Sequence, residues 1–297
     1  VSLQTNNGAG FALGAFTIWG FAPVYFMWVD FAAPLEVLAH RIVWAIPLLL
    51  CLITITRQWP AARQLDRRQI SVLALCSLLL ATNWLIFIFA VQSGRIAETA
   101  LGYFINPLVS IVLGGLFLNE KLRRWQWVAA AIAALGVSFE LLKLGQLPWL
   151  ALTLAFSFGF YGLLRKQLGL PSSVGLGIET AIVAPVAAGY LIYAYGFTDA
   201  VERDLQQTLQ LGLGGLVTVA PLVLFASAAI RMPLTTLGFF QYLAPSLSLL
   251  LAVFYFEEAV SSARWVSFSL VWFGLVIFSV EGLYVYQQHR ARHLPRN

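Results

Sequence analysis

The chain has 297 residues, of which 60% are hydrophobic, 14% aromatic and only 10% charged, and its mean hydropathy is +0.82. Soluble domains are about 25% charged, so this composition excludes a soluble catalytic domain, a nucleotide-binding domain and a long receptor ectodomain. Ten apolar segments of about 20 residues would use roughly 200 positions and leave only short connections. The composition therefore indicates an integral membrane protein.

Apolar runs separated by charges and Gly/Pro clusters predict ten membrane-spanning helices. The first five cover residues 9–29, 36–56, 70–92, 98–118 and 124–142; the second five cover 147–164, 173–195, 209–230, 235–256 and 263–286. We therefore predict an all-α fold with two five-span domains, 9–142 and 147–286, and a basic cytoplasmic tail at 287–297. Prolines within the spans, such as Pro107 and Pro245, are expected to bend their helices.

The positions of the basic residues support this topology. With a cytoplasmic N-terminus, thirteen of the 18 Lys and Arg residues fall on the cytoplasmic side and five on the outer side. Cytoplasmic loops of membrane proteins carry such an excess, and a missed span would scramble it. We predict a multi-pass protein of a bacterial-type inner (plasma) membrane, with both termini cytoplasmic and no nucleic-acid partner.

The two halves of the chain resemble each other at an offset of 138 residues. The matched pairs are Pro47 and Pro185, Pro107 and Pro245, Glu120 and Glu258, Trp127 and Trp265, and Gly136 and Gly274. Since five is an odd number of spans, the second copy would enter the membrane in the opposite orientation. Inverted repeats are typical of secondary transporters, whose substrate site lies near the midplane between the repeats.

Several strings resemble one family of transporters. The segment Leu118-Asn119-Glu120-Lys121-Leu122, with Gln126 and Gly136, resembles the end-of-repeat motif of the EamA domain, which belongs to the drug/metabolite transporter superfamily. His40-Arg41, Asn83-Trp84 and the segments 101–107 and 237–242 resemble its RarD branch. The resemblance implies a 5+5 inverted-repeat transporter, often associated with chloramphenicol sensitivity or drug efflux. The second repeat departs from the motif, because Glu257-Glu258 stands where one Glu is usual.

Polar side chains at mid-depth are candidates for substrate binding, because a polar group in hydrocarbon is costly without a partner or a function. The amides of Asn83, Asn106 and Gln241 offer both donors and acceptors. Aromatic residues complete the predicted substrate site: Trp84, Tyr103, Phe239, Tyr242, Trp19 and Trp44. The alternative is that the amides hydrogen-bond only between helices.

Arg41 and Glu179 are candidate coupling or gating residues. Each lies six residues before the proline of its span, so they are predicted to be repeat mates of opposite charge. Arg41 would attract an anionic group and Glu179 would exchange a proton. The alternative is local pairing, of Arg41 with Glu36 or Glu98 and of Glu179 with Arg231 or Lys166.

His40 is a second candidate for proton coupling, because histidine titrates near neutral pH. Its alternative role is a hydrogen bond to Glu36, which lies one turn earlier on the same helix face.

The sequence contains no phosphate-binding G-x-x-x-x-G-K-[ST], no H-E-x-x-H and no G-x-S-x-G. We therefore predict a non-enzyme without cofactor or metal. The leading hypothesis is an exporter of small amphipathic metabolites or drugs that works by alternating access and draws on solute, proton or potential gradients. Its expected partners are a small-molecule substrate, the lipid bilayer and protons. We expect the protein to be a monomer or a weak homodimer. An importer of the same fold is the alternative, and a passive channel or an intramembrane enzyme is less favoured.

Overall fold

A computed structural model describes residues 2–92, 96–144, 148–197, 203–255, 257, 260 and 262–293. Across these ranges the chain forms α-helices and no strand. The helices are α1 (Ser2–Trp28), α2 (Pro34–Ile55), α3 (Trp59–Arg63), α4 (Arg67–Gln92), α5 (Ile96–Leu118), α6 (Arg124–Leu144), α7 (Trp149–Leu168), α8 (Ser172–Phe197), α9 (Leu205–Ala229), α10 (Leu234–Gln241), α11 (Leu243–Phe254) and α12 (Ser262–His293).

The all-helical membrane architecture is confirmed. Within the described residues, nine segments are long and apolar enough to cross a membrane, with α10 and α11 together forming one of them. α7 is not among the nine, although it has 20 residues. Its last turn carries Arg165 and Lys166, which lower the hydropathy of the helix as a whole.

Polar contacts between distant segments define two ends of the bundle. Arg203, just before α9, binds Glu36 in the first turn of α2. We name this end the α1–α2 face. Lys166, at the end of α7, donates to the carbonyl of Met232 just after α9 and lies 3.6 Å from Glu120, which follows α5. We name this end the α7–α8 face.

The helices pack in a pattern that relates the first half of the chain to the second. α1 contacts α9 and α11, while α7 contacts α4 and α5; α2 packs on α8, α5 on α10, and α6 on α12. Glycines allow the α6–α12 contact, since a Cβ at Gly274 would lie 2.8 Å from the carbonyl oxygen of Ala129. Close approach through small residues is a common way for membrane helices to associate.

The ninth predicted span, 235–256, is divided into two helices. α10 ends at Gln241 and α11 begins at Leu243, with Tyr242 in the turn between them. Pro245 has no N–H to donate to the carbonyl of Gln241, four residues earlier, so the helix is interrupted there. Pro107, its match in the first half, lies inside the continuous helix α5.

Candidate functional site

Arg41 occupies a cationic and aromatic site between helices. It lies seven residues past the start of α2, about 10 Å into the bundle from the α1–α2 face. Its guanidinium carbon is 5.3 Å from the ring centre of Phe26 and 5.4 Å from that of Trp84, within the range of cation–π attraction. Its Nε donates to the Oγ1 of Thr218, 2.8 Å away.

Tyr103 completes this cluster from α5. Its side chain is 44% exposed, although the adjacent Phe104 is 2% exposed, and its hydroxyl interacts electrostatically with Arg41. We call Phe26, Arg41, Trp84, Tyr103 and Thr218 the Arg41 site. Helices α1, α2, α4, α5 and α9 each contribute one of these residues. The arrangement combines one cation with an apolar aromatic surface, as binding sites for small molecules generally do.

Of the predicted substrate residues, Trp84 and Tyr103 therefore lie beside the predicted gating residue Arg41. Phe26 and Thr218 were not predicted. Thr218 is one of several small polar residues in the spans, and only the approach of α9 to α2 distinguishes it. Phe26 lies in an aromatic stretch near the end of α1, which by sequence resembles an interfacial anchor.

Two of the three predicted amides bind neighbouring helices. Asn83 donates through Nδ2 to the carbonyl of Leu154 and to the hydroxyl of Ser157, both at 2.9 Å, and thereby joins α4 to α7. Gln241 donates through Nε2 to the hydroxyl of Ser110 at 2.9 Å, which joins α10 to α5. Asn106 is buried, and its Oδ1 has no hydrogen-bond partner among the described residues.

The remaining predicted aromatics occupy other places. Phe239 stacks on Phe278 of α12, with ring centres 4.0 Å apart. Trp44 is 41% exposed and lies against Gly212 and Gly215 of α9. Neither is among the described contacts of Arg41.

Trp19 and Tyr242 are part of the main hydrophobic core. Trp19 packs edge-on against Phe158, with ring centres 5.6 Å apart. The ring centre of Phe158 in turn lies 5.7 Å from that of Tyr161, so a chain of aromatic contacts runs from Trp19 of α1 to Tyr161 of α7. Tyr242 is 1% exposed, and its hydroxyl has no partner in the part of the chain that the structure describes.

Glu179 forms a buried ion pair with Arg165. The carboxylate Oε1 lies 3.3 Å from Nη1 of Arg165, and Tyr161 donates its hydroxyl hydrogen to Oε2 at 3.2 Å. Arg165 is 0% exposed and Glu179 is 2% exposed. Arg165 also donates through Nη2 to the carbonyl of Ser172, so the pair fastens the end of α7 to the start of α8.

This pairing corrects the expected local partners of Glu179, which were Arg231 and Lys166. Lys166 instead donates to carbonyls at and just after the end of α9, and Arg231 lies over the ring of Phe11. The sequence signal that could have indicated Arg165 is Gly175, one turn before Glu179. A side chain at this position would overlap the Arg165 guanidinium.

Glu36 is bound by residues from the second half of the chain. Arg203 contacts its carboxylate through Nε at 3.1 Å and Nη2 at 2.9 Å, and Tyr195 donates to it at 2.5 Å. The hydrogen bond with this carboxylate raises the pKa of Arg203 above its ordinary value. His40 lies 3.1 Å from the hydroxyl of Tyr195, so its described hydrogen bond connects it to Glu36 through that tyrosine.

Among the described residues, Glu36 therefore forms neither the expected ion pair with Arg41 nor the expected direct hydrogen bond with His40. Arg203 takes both carboxylate oxygens because the segment before α9 lies over the start of α2. The other expected partner of Arg41, Glu98, has a side chain outside the described residues.

Comparisons with known proteins agree with this architecture. The EamA-like transporter family matches residues 6–141. An "Uncharacterized transporter" of Vibrio cholerae is 44% identical over 284 residues, covering 94% of each chain, and protein RarD of Salmonella typhimurium is 42% identical over 288 residues, covering 95% of this chain and 97% of RarD. This chain belongs to the RarD group of the EamA family, in the drug/metabolite transporter superfamily. A solved structure titled "Crystal structure of protein" has the same fold, with a TM-score of 0.68, 18% identity and coverage of 92% of this chain and 96% of that one.

Proposed function

We propose that this RarD-group protein is a secondary transporter that exports small amphipathic metabolites or drugs by alternating access. The Arg41 site carries the proposal, since five helices direct one cation and three aromatic rings to one place inside the bundle. A chain without a nucleotide-binding motif must take its energy from a gradient of solute, protons or membrane potential.

We further propose ten crossings, with α7 as the tenth, in two inverted repeats. The helix contacts support this, because each main contact becomes another contact that is present when five pairs are exchanged: α1 with α7, α2 with α8, α4 with α9, α5 with α10–α11, and α6 with α12. The repeats would correspond to 9–142 and 147–286. The excess of basic residues then assigns the α7–α8 face and both termini, with the tail 287–297, to the cytoplasm of a bacterial-type inner membrane.

Polar clusters at the two faces are the proposed gates. At the α1–α2 face, Glu36 joins α2 to α8 and to the segment before α9. At the α7–α8 face, Glu120 accepts hydrogen bonds at 2.8 Å from the backbone N–H groups of Leu234 and Thr235 at the start of α10. Alternating access requires that one cluster separates while the other holds.

Glu179 is the proposed site of proton coupling. Protonation would remove the charge that holds Arg165 and would loosen the contact of α7 with α8. Transport by Glu179→Gln should therefore lose the dependence of flux on a pH gradient in proteoliposomes. Unchanged pH-driven flux would exclude this role, and His40→Gln tests the second candidate in the same assay.

Counterflow in proteoliposomes tests the transport function itself. Compounds that raise the melting temperature of the purified full chain are loaded unlabelled, and uptake of the labelled compound is followed. Transient accumulation of intact compound supports a transporter, chemical conversion favours an enzyme, and flux without saturation favours a channel. Vesicles of opposite orientation then separate export from import.

A further inference from the structure

The Arg41 site is built around a cation whose described partners leave its charge unbalanced. Among the side chains that the structure describes, no carboxylate lies within 4 Å of Arg41. Glu36, the acid nearest to it on α2, is held by Arg203. A charged side chain at such depth in a membrane protein marks a functional site by default.

The surroundings of Arg41 restrict how its guanidinium can bind a ligand. Thr218 takes the Nε–H, and the rings of Phe26 and Trp84 lie beside the guanidinium at 5.3 and 5.4 Å. No described residue accepts a hydrogen bond from the two terminal nitrogens. Recognition through these nitrogens would use the planar fork of N–H donors that fits a carboxylate.

Glycine makes room for this arrangement. A Cβ at Gly214 would lie 2.7 Å from Cγ of Arg41 and 2.5 Å from the hydroxyl of Tyr25. The carbonyl of Gly214 accepts the hydroxyl hydrogen of Thr218 at 2.7 Å, which leaves a lone pair of the Thr218 oxygen for the Nε–H of Arg41. Backbone and side chain of α9 thus hold the Arg41 stem in a fixed position.

We propose that the Arg41 site selects organic anions, namely a carboxylate on a flat apolar body of one or two rings. The carboxylate would bind the terminal nitrogens of Arg41, while the rings of Trp84 and Tyr103 contact the flat body. This proposal rests on the proposed transport function and specifies its substrate class. An inside-negative membrane potential favours the outward movement of an anion, which agrees with export.

Three probes of one shape separate charge from hydrophobicity: 2-naphthoate, 2-naphthamide and 2-naphthylmethylammonium. Their dissociation constants for the purified full chain are measured by titration calorimetry in detergent. We expect the naphthoate to bind at least about tenfold more tightly than the amide, as hydrogen bonds to charged groups are the stronger ones, and the ammonium to bind most weakly. Equal affinity for acid and amide in the wild-type protein overturns the proposal without any variant.

Variants assign the preference to Arg41. Arg41→Gln should remove most of the affinity difference between the naphthoate and the amide, and Arg41→Lys should keep part of it. The matched control is Arg231→Gln, because Arg231 also lies over a ring, that of Phe11 at 4.9 Å, but at the opposite face. If Arg41→Gln keeps the full preference, or if Arg231→Gln loses it equally, the assignment to Arg41 is wrong.

A Glu98→Gln variant is tested in the same binding assay, because Glu98 was the other expected partner of Arg41. If Glu98 already neutralises Arg41, the naphthoate gains its advantage only in Glu98→Gln, and this outcome also overturns the proposal. Counterflow then distinguishes failure of the proposed substrate class from failure of the proposed transport function. Saturable flux of the amide or ammonium that does not depend on Arg41 leaves a transporter with another substrate class, whereas no flux of any stabilising compound contradicts the transport function.

Discussion

Arg41 and Glu179 occupy corresponding positions in two helices but have opposite surroundings. Each lies seven residues past the start of its helix and six residues before a proline. Glu179 has a buried counter-charge in Arg165, within the same half of the chain. The described partners of Arg41 are a hydroxyl and aromatic rings from α1, α4 and α9. One position is therefore neutralised within its own half of the chain, while the described neighbours of the other carry no opposite charge.

The largest expected difference between the two positions is in stability. Arg165→Met should lower the free energy of unfolding by about 3–5 kcal/mol, because Glu179 would remain buried without its partner. Arg41→Met should cost about 2 kcal/mol or less, since the described losses are one hydrogen bond and two ring contacts. SDS-induced unfolding in mixed micelles measures both. The double variant Arg165→Met/Glu179→Gln should recover most of the loss, and equal costs at Arg41 and Arg165 would remove the contrast.

The glycines beside the two charges give a second test. Gly175→Ala should lower the free energy of unfolding by about 1–3 kcal/mol, because the new Cβ would overlap the Arg165 guanidinium. Gly214→Ala should displace Arg41 and reduce substrate counterflow more than stability. Gly189→Ala is the control on α8, since nothing lies within 4 Å of its Cβ position. A stability loss in the control that matches that of Gly175→Ala would contradict this explanation.

Glu120, the acid of one proposed gate, can be compared with Glu140, an acid that belongs to neither proposed gate. Glu120→Gln should cost about 1–2 kcal/mol of unfolding free energy, because Glu120 caps the start of α10 and faces Lys166. Glu140→Gln should cost at most about 1 kcal/mol, since the described ion pair of Glu140, with Arg264 at 3.5 Å, is half-buried. The same unfolding assay ranks them, and the reverse order would weaken the assignment of Glu120 to a gate.

The smallest effects separate packing from binding in the predicted substrate residues. Asn83→Ala should lower the free energy of unfolding by about 1 kcal/mol, because its amide links α4 to α7. Tyr103→Ala should change stability less but weaken flux, since its half-exposed ring is part of the Arg41 site. Parallel unfolding and counterflow measurements decide this. Normal transport by Tyr103→Ala would place the substrate elsewhere.

Sequence reasoning was accurate for the helices and less accurate for the partners of each charge. The predicted span at 147–164 corresponds to α7, and the span at 36–56 to α2, because apolar runs of that length mark membrane helices in any context. The partner of Glu36 lies 167 residues away in the chain. Its identity depends on the approach of the segment before α9, which no local pattern indicates.

Residue type alone also left the roles of the amides and aromatics undecided. Asn83 and Gln241 bind neighbouring helices, and Phe239 turns towards α12, while Trp84 and Tyr103 lie at Arg41. The rotation of each helix about its axis decides between these positions. This rotation is determined by packing against several neighbouring helices at once. A sequence pattern describes one helix by itself and does not say which neighbours it will have.

The sequence by itself determined the membrane class, the approximate positions of most helices, the family, and the unusual presence of Arg41 and Glu179 within apolar segments. These follow from the cost of placing charged and polar groups in hydrocarbon, which acts on every residue locally. The tertiary structure alone decided that Arg165 neutralises Glu179 and that aromatic rings surround Arg41. Those outcomes depend on which helices meet, because the interactions of a buried charge extend only a few ångströms.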